Sequence, residues 1–341
     1  MEKILVDSIF KNFQQQNILI IGDVMVDTYL WGNVDRISPE APVPVVACTR
    51  RENRLGGAAN VALNIKAMNA RPLLWTVTGD DEKGMLFREL LEKAGLEDLG
   101  IMIDRERKTT VKTRVIAGSQ QLLRVDDEDN RPLSPGTENI FIERLSDRIK
   151  NDNINAIIFQ DYDKGVITPG LIHEVIKEAV AKQIPVLVDP KKRHFKHYKG
   201  ATLFKPNFKE FREGLNISLS KGDFSKIHQN ARDFIRDMNF TYLLLTLSEK
   251  GIFISDGKGY SAIPAHVRDI SDVSGAGDTV ISLASLCLAA GLKPVELAAI
   301  TNLAGGQVCE KIGVVPVNRN QLFEECLKLD FTNIHEVTVT G

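Results

Sequence analysis

The stretch DVSGAGDT, residues 272–279, runs directly into the apolar segment VISLASLCLAAG, residues 280–291. Its small residues 275–277 have almost no side chain, so the backbone can approach a phosphate group closely. If a helix begins here, its free N–H groups and the positive end of its dipole face the anion. Asp278 then lies in the first helical turn, where its carboxylate can accept the proton of an attacking hydroxyl. The stretch predicts a phosphoryl-transfer site, and a Gly-rich loop before a capped helix is the structural alternative.

The composition of the chain is that of an ordinary globular protein. Of its 341 residues, 43% are hydrophobic and 26% are charged, and the net charge is −2, which gives no sign of a nucleic-acid surface. The N-terminus lacks the features of a signal peptide, and no segment reaches the roughly 20 apolar residues of a membrane span. The four cysteines are scattered without a CxxC pair. We therefore expect a soluble, cytoplasmic protein with no nucleic-acid or membrane partner.

Apolar strands alternate with amphipathic helices along most of the chain. The pattern predicts strands at 17–22, 72–78, near 101, 155–160, 185–189, 201–204 and 241–247. It predicts helices at 58–69, 82–94, 170–182, 222–238, 277–290, 294–309 and 319–328. This alternation indicates an α/β fold with a doubly wound, mostly parallel sheet flanked by helices. Gly22 and Asp23 end the first strand at the carboxyl edge of that sheet, where ligands bind.

Two segments interrupt this alternation. Residues 27–48 are aromatic, β-branched and Pro-rich, and residues 109–125 resemble a hairpin that turns at Ala117-Gly118-Ser119. We expect them to form a small β lid over a ligand; an edge extension of the main sheet is the alternative. Residues 1–330 are predicted to be a single domain with this lid, followed by a C-terminal tail at 331–341 that is partly extended or pairs with a partner subunit.

A second Gly-rich motif, GGAAN, opens the helix predicted at 58–69. Gly56 and Gly57 allow the backbone to approach a small polar ligand, and Asn60 offers a donor and an acceptor to sugar hydroxyls. The structural alternative is a tight turn from a strand into a helix, with the Asn60 side chain satisfied inside it.

Further polar residues follow predicted strands. A carboxylate at Asp27 can bind vicinal hydroxyls, and a solvated or capping role is its alternative. After the strand at 201–204, Lys205 can meet phosphate oxygens, while Asn207 and Glu210 can hold Mg²⁺ through water. An ordinary loop in which Asn207 caps a helix is the alternative reading of that segment.

The order of these motifs resembles that of the ribokinase-like sugar kinases, from the first strand to about residue 328. GGAAN, DVSGAGDT and KPNxxE carry this resemblance. Four further strings are similar to the heptose 7-phosphate kinases that make the lipopolysaccharide inner-core precursor. They are YLWGNVDRISPEAPVPVV (29–46), TVKTRVIAGSQQLLRVD (110–126), DYDKGV (161–166) and DPKK (189–192).

The resemblance implies a reaction and a role for each motif. Asp278 would be the general base that deprotonates the anomeric hydroxyl of D-glycero-β-D-manno-heptose 7-phosphate, which attacks the γ-phosphate of ATP and gives the 1,7-bisphosphate. The anion hole for the developing charge would be formed by Gly275, Ala276 and Gly277. The sugar would be held by Asp27, Gly56, Gly57 and Asn60.

The resemblance also implies the ligands of the nucleotide and of the cations. Lys205 would lie near the phosphates, and Asn207 and Glu210 would serve Mg²⁺. The nucleotide pocket would be lined by Thr246, Ser248, Gly251 and Asn302. Asp272 and Ser274 match a loop that binds a monovalent cation such as K⁺ in relatives. Ser248 departs from the pattern, since that position usually carries Gly.

The resemblance leaves other points open. Arg114, Arg124 and a cation of the basic run 191–199 are rival candidates for the 7-phosphate. Met25 stands where ribokinases carry an Asn that binds ribose, which makes plain ribose a poor substrate. Many heptose kinases are fused to a nucleotidyltransferase with an HxGH motif; none occurs here, so we expect a separate polypeptide for that step. The rival functions are a kinase of another sugar, sugar phosphate or nucleoside, and a non-catalytic regulator. The apolar lid suggests a homodimer.

Overall fold

The computed structural model describes residues 1–118, 120–266 and 268–330, together with the backbone of residues 335–338. Its α-helices, numbered in chain order, are α1 Lys3–Phe13, α2 Ala58–Ala67, α3 Glu82–Lys93, α4 Pro135–Asn151, α5 Pro169–Ala181, α6 Phe208–Leu215, α7 Phe224–Met238, α8 Ala276–Ala289, α9 Pro294–Val308 and α10 Arg319–Leu327. Its strands are β1 Asn17–Gly22, β2 Val24–Ile37, β3 Pro44–Gly57, β4 Arg71–Gly79, β5 Ile101–Asp104, β6 Val111–Ala117, β7 Gln120–Asp127, β8 Ala156–Gln160, β9 Val186–Asp189, β10 Leu203–Phe204, β11 Tyr242–Thr246, β12 Ile252–Ser255, β13 Gly259–Ile263 and β14 His335–Thr338.

In the described part of the chain, the main sheet has the strand order β14-β13-β12-β11-β10-β9-β8-β1-β4-β5. The strands from β11 to β5 pair in parallel, whereas β12, β13 and β14 are added antiparallel at one edge. The chain runs outward from β1 through β4 to β5, then returns to β8 on the other side of β1. The carboxyl ends of β1 and β8 therefore flank a topological switch point, the usual place for a ligand.

Each face of the main sheet has its own apolar core. In β1, Ile18 and Ile20 point to the face covered by α1, α2, α8, α9 and α10. Leu19 and Ile21 point to the opposite face, covered by α4, α5, α6 and α7. All four side chains are fully buried. A strand buried on both faces reads as a continuous apolar run, and this explains why the sequence NILIIG identified it. The doubly wound, mostly parallel α/β fold is thus confirmed.

The two interrupting segments form a separate four-stranded sheet of order β3-β2-β6-β7. The alternative that they extend the edge of the main sheet is wrong. Strand β2 begins directly after Asp23, and β3 ends at Gly57, where α2 begins, so both strands join the main body next to the GGAAN motif. Strands β2 and β3 together span 24–57 and extend beyond the predicted 27–48, whereas β6 and β7 span 111–127, shifted by two residues from the predicted 109–125. Closure of this sheet over a ligand stays a prediction, and Ser119 in the predicted hairpin turn lies outside the described residues.

All the helices and strands predicted from the sequence are present, with bounds that differ by two residues at most. Helices α1, α4 and α6 and strands β12, β13 and β14 were not predicted. The backbone of β14 pairs antiparallel with β13, so the predicted tail is extended at this point; its other residues, 331–334 and 339–341, lie outside the described chain. The division into one domain and a tail stays a prediction. Among the described helices, none has the length and apolar character needed to cross a membrane.

Candidate active site

A cavity of about 850 Å³ opens at the carboxyl edge of the main sheet. Eight predicted site residues line it: Lys205, Asn207, Glu210, Thr246, Ser248, Gly275, Gly277 and Asp278. Polar residues that the sequence analysis did not select also line it, among them Gln160, Tyr162 and Asp189, as does Lys191 of the basic run 191–199. The structure therefore brings Asp278, Lys205 and the predicted Mg²⁺ residues together in one space. Ala276, Asp272 and Ser274 are not among the residues that line it.

Gly251 and Asn302, predicted for the nucleotide pocket, do not line this cavity. Gly251 has a φ of 84° in the turn before β12, where an added Cβ would lie 2.0 Å from the carbonyl oxygen of Ile263. The amide of Asn302, on α9, donates to the carbonyl oxygen of Pro264 at 2.8 Å. The observed contacts give both residues a structural function, and their nucleotide contacts stay predictions.

Helix α8 begins at the cavity without a side-chain cap. Gly275 occupies the cap position with a φ of 82°, a left-handed conformation that favours glycine. By contrast, side chains cap the N-termini of α3, α4, α5, α6, α7 and α10. The N–H of Ala276 donates to the carbonyl oxygen of Val273 at 3.3 Å, whereas the N–H groups of Gly277 and Asp278 have no acceptor among the described residues. These two N–H groups are therefore available to an anion in the cavity. The predicted helix start at the GAGD motif is confirmed.

Asp278 is held by three side-chain donors from distant parts of the chain. Its Oδ2 accepts from Nδ2 of Asn60 at 2.8 Å, while its Oδ1 accepts from the hydroxyl of Tyr162 at 2.7 Å and from Nε2 of Gln160 at 3.0 Å. The side chain is only 3% exposed. Burial raises the pKa of Asp278 to about 6, although the hydrogen bonds from Asn60 and Tyr162 act in the opposite direction. The carboxylate is thus fixed in orientation and largely ionised at neutral pH.

The loop that carries Tyr162 is fixed by Asp23. The Asp23 carboxylate accepts from the backbone N–H groups of Tyr162, Lys164 and Val166 at 2.9, 3.1 and 3.0 Å. Burial raises its pKa to about 6, and the nearby Asp161 contributes in the same direction. Burial and the adjacent Asp278 raise the pKa of the Tyr162 hydroxyl well above its ordinary value. The phenol therefore keeps its proton and acts as a donor to Asp278.

A buried ion pair lies beside Asp278. Nζ of Lys205 is 3.0 Å from Oδ2 of Asp189, at the ends of neighbouring strands β10 and β9. Nε2 of Gln160 lies 3.3 Å from the same oxygen of Asp189, which links the pair to Asp278. Asp189 raises the pKa of Asp278 and Lys205 lowers it. The ammonium of Lys205 faces the cavity next to the start of α8, as a phosphate ligand requires.

Asn207 and Glu210 form the capping box of α6. The side chain of Asn207 accepts from the N–H of Glu210 at 2.8 Å, and that of Glu210 accepts from the N–H of Asn207 at 2.9 Å. The other oxygen of Glu210 accepts from Lys191. The capping alternative is therefore present, although both residues also line the cavity. Within the described residues, no three His, Cys, Asp or Glu side chains are grouped so as to hold a metal ion.

The predicted monovalent-cation residues lie in the loop before α8. Asp272 accepts from the N–H of Ser274 at 2.9 Å and from the N–H of Gly313 at 2.9 Å. Although burial favours a higher pKa, these hydrogen bonds and the nearby Arg114 lower the pKa of Asp272. The carboxylate therefore stays ionised and fixes the loop, and a cation at Asp272 and Ser274 stays a prediction.

The predicted sugar-binding residues lie where the four-stranded sheet meets the main body. Asp27 is 2% exposed, and its Oδ1 accepts from Nη1 of Arg114 at 2.5 Å. A Cβ on Gly56 would lie 2.1 Å from Oδ2 of Asp27, so only glycine fits there. Arg124 is directly opposite Arg114 in the sheet, but it is exposed and pairs with Asp126 at 2.9 Å. The two arginines therefore bind different carboxylates.

Residues 15–320 match the model of the family described as pfkB family carbohydrate kinase. The chain belongs to this family. It is therefore an ATP-dependent sugar kinase, as the resemblance indicated. The bifunctional protein HldE of Geobacter metallireducens is 39% identical over 320 residues, which are 93% of this chain and 64% of that protein. HldE of Campylobacter jejuni subsp. jejuni is 40% identical over 313 residues, 92% of this chain and 65% of that protein. The kinase thus spans less than two thirds of these relatives.

Solved structures share the fold of this kinase at low sequence identity. Phosphofructokinase-2 from Escherichia coli, in complex with potassium, has a TM-score of 0.75 and 16% identity, covering 91% of this chain and 99% of its own. Arabidopsis thaliana ribokinase, complexed with ribose and ATP, has a TM-score of 0.69 and 15% identity, covering 92% of this chain and 99% of its own. These similarities confirm the ribokinase-like fold.

Proposed function

We propose that this kinase transfers the γ-phosphate of ATP to the anomeric hydroxyl of D-glycero-β-D-manno-heptose 7-phosphate and forms the 1,7-bisphosphate. One observation carries the phosphoryl-transfer chemistry: the buried carboxylate of Asp278 lies in the first turn of a helix whose N-terminus has no side-chain cap. The heptose assignment, in ADP-heptose and lipopolysaccharide core precursor synthesis, draws its support from the quoted sequence strings and from the HldE relatives.

In this proposal Asp278 is the general base. A base with a pKa of about 6 is ionised at neutral pH and can accept the proton of the attacking hydroxyl. Oδ1 already accepts from Tyr162 and Gln160, whereas Oδ2 accepts from Asn60 alone among the described donors. Oδ2 therefore has a lone pair to offer the acceptor hydroxyl. The carboxylate geometry is set by the three donors before any substrate binds.

The start of α8 would stabilise the charge that develops on the transferred phosphoryl group. Gly275 and Gly277 line the cavity beside Asp278, and Ala276 lies between them in the chain. Each preorganised donor of this kind contributes roughly 3–4 kcal/mol to transition-state stabilisation. The ammonium of Lys205 adds a positive charge at the same position. On the sugar side, Asn60 would bind the acceptor next to the base, together with Asp27, Gly56 and Gly57.

The cation ligands fit Mg²⁺ only through water. Both oxygens of Glu210 already accept hydrogen bonds, one from Lys191 and one from the backbone of Asn207. Mg²⁺ usually keeps several waters and binds substrate phosphates, so a single carboxylate and an amide at the cavity suffice. When bound, the metal would neutralise charge on the nucleotide phosphates. Asp272 and Ser274 are proposed for K⁺ on the resemblance, and their fixed loop adjoins the start of α8.

We also propose a cytoplasmic homodimer formed through the four-stranded sheet. Every residue of β7 is exposed, including Leu122, Leu123 and Val125. An apolar exposed strand is an unfavourable surface for a monomer. We propose that a separate polypeptide performs the nucleotidyltransferase step.

An assay of ADP release tests the substrate assignment. Purified protein and Mg-ATP are offered heptose 7-phosphate, fructose 6-phosphate, ribose and adenosine. We expect kcat/KM for heptose 7-phosphate to exceed the others by about 10³-fold, which is about 4 kcal/mol of transition-state discrimination. A preference for another sugar would retain the kinase chemistry and reject the heptose. Nucleotide binding without ADP release from any acceptor would favour the non-catalytic regulator.

A further inference from the structure

Lys112 lies between two carboxylates in the four-stranded sheet, yet neither of them binds it. On β6 it is directly opposite Asp27 of β2 and Asp126 of β7. Asp27 pairs with Arg114 at 2.5 Å and Asp126 pairs with Arg124 at 2.9 Å. Among the described residues, no carboxylate oxygen lies within 4 Å of the Lys112 ammonium. Each of the two carboxylates opposite Lys112 is thus paired with an arginine, and the Lys112 ammonium has no ion pair among the described residues.

The surroundings of Lys112 make an unpaired ammonium costly. The side chain is half-buried, and burial lowers its pKa despite the attraction of Asp27. A half-buried cation without a counter-ion loses hydration and gains no ion pair in return. An anion that binds here would supply the missing partner, and a lysine offers three rotatable donors to phosphate oxygens.

The Lys112 ammonium lies close to Tyr162, a residue that binds the proposed base. Its Nζ is 5.3 Å from the ring centroid of Tyr162, whose hydroxyl donates to Asp278 at 2.7 Å. A second ammonium, that of Lys191, lies 5.7 Å from the same ring, but it binds Glu210 and lines the large cavity. Lys112 does not line that cavity, and it comes from the strand next to Asp27. The two lysines therefore approach Tyr162 from different elements.

We propose that Lys112 binds the phosphate monoester of the acceptor sugar, so that the enzyme prefers a phosphorylated sugar over its unphosphorylated parent. This inference rests on the proposed function, since it takes the acceptor to lie between Asp278 and the four-stranded sheet. It adds a ligand that the sequence did not single out. Arg114 and Arg124 are opposite each other two residues further along the sheet, and each is already paired with a carboxylate.

Calorimetric titration without ATP tests this proposal separately from catalysis. Heptose 7-phosphate and unphosphorylated heptose are titrated into the wild-type protein and three variants: Lys112→Met, Lys112→Arg and Lys108→Met. Met keeps the length of the apolar stem, and Arg keeps the charge in case the Met variant does not fold. Lys108 is the matched control, because it is an exposed lysine before β6 that pairs with Asp127 at 3.3 Å.

We expect Lys112→Met to weaken heptose 7-phosphate binding by about 10-fold to 100-fold, as for loss of a charged hydrogen bond, with little change for unphosphorylated heptose. Lys112→Arg should retain most of the affinity, and Lys108→Met should bind as the wild type does. Equal losses for both sugars, or the same loss in Lys108→Met, would overturn the proposal. If the wild type binds heptose 7-phosphate through Lys112 but releases no ADP, the proposed reaction fails and the phosphate site stands. If ADP release is normal and Lys112→Met binds heptose 7-phosphate as tightly as the wild type does, the proposed reaction stands and the phosphate site at Lys112 fails.

Discussion

The Nδ2 atom of Asn60 lies 2.8 Å from Oδ2 of Asp278, across 218 residues of sequence. The bond joins the GGAAN motif at the start of α2 to the GAGD motif at the start of α8. Both side chains are almost completely buried, at 0% and 3% exposure. The proposed sugar ligand and the proposed base therefore form one unit, and a change in either residue alters the other.

Asn60→Ala should weaken sugar binding much more than ATP binding. The change removes a donor to the acceptor and to Asp278, whereas the nucleotide side of the cavity is untouched. We expect KM for the sugar to rise by about 10-fold or more, the usual effect of losing a hydrogen bond to a charged group. Steady-state kinetics with each substrate varied in turn measures both constants. Equal rises in the two constants would contradict the placement of Asn60.

Tyr162→Phe should move the pH dependence of the reaction. The Tyr162 hydroxyl lowers the pKa of Asp278, so its removal raises that pKa above about 6. The acidic limb of kcat/KM should then shift to higher pH, and activity lost at neutral pH should return in more alkaline buffer.

Tyr198→Phe is the matched control for this measurement. The Tyr198 hydroxyl donates to Asp161 at 2.9 Å, so this variant loses the same kind of buried bond away from Asp278. Its acidic limb should stay where the wild type has it. A shift of the same size in both variants would show that the effect is a general loosening of the fold.

The difference in free energy of unfolding between Asp278→Asn and the wild type should shift in favour of the variant as pH rises. A folded pKa of about 6 against an ordinary value of 3.8 means that the folded state binds the proton more tightly. The protonated carboxyl thus stabilises the fold fully below pH 4, and this contribution is lost as pH rises through 6. The free energy of unfolding of the variant, relative to wild type, should increase by about 3 kcal/mol across that range. Urea denaturation at several pH values measures it, and a flat difference would contradict the raised pKa.

Two glycine substitutions separate the fold of the anion site from its function. At Gly275 a Cβ would lie 3.0 Å from Nδ2 of Asn60 on a backbone with φ of 82°, so Gly275→Ala should cost about 1–2 kcal/mol of stability. At Gly277 a Cβ would be in ordinary contact, 3.6 Å from Lys205 and from Asp189. Gly277→Ala should therefore keep the melting temperature but lower turnover, because the methyl group enters the cavity beside Asp278. Unchanged turnover in Gly277→Ala would argue against an anion hole at this helix start.

Much of this site was predictable because its residues follow strands that are themselves easy to recognise. A continuous apolar run such as NILIIG marks a strand buried on both faces, and the residue that ends it lies at the ligand-binding edge. The same reasoning applies to Gln160 after AIIF and to Asp189 after VLV, which the sequence analysis passed over. The apolar runs that precede Gln160 and Asp189 would have been enough to select both residues.

Other features depend on pairing that the sequence does not display. The hydrogen bond from Tyr162 to Asp278 joins the loop after β8 to the first turn of α8. The position of Lys112 between two occupied carboxylates follows from strand register. Helix α4 was missed although Ser134 caps it and Pro135 begins it. Its sequence is mostly polar, and its buried residues are Phe141, Leu145 and Ile149. The apolar stripe that they form is too narrow to indicate a helix from the sequence alone.

The rate of ADP release by Asp278→Asn, compared with that of the wild type, tests the central claim most directly. Asn has the size of Asp and can still accept hydrogen bonds from Tyr162 and Gln160, but it cannot take a proton from the acceptor. We predict that turnover with heptose 7-phosphate falls by at least about 10²-fold, the low end for loss of a general base, while ATP affinity is retained. Turnover close to that of the wild type would contradict the assignment of Asp278 as the base.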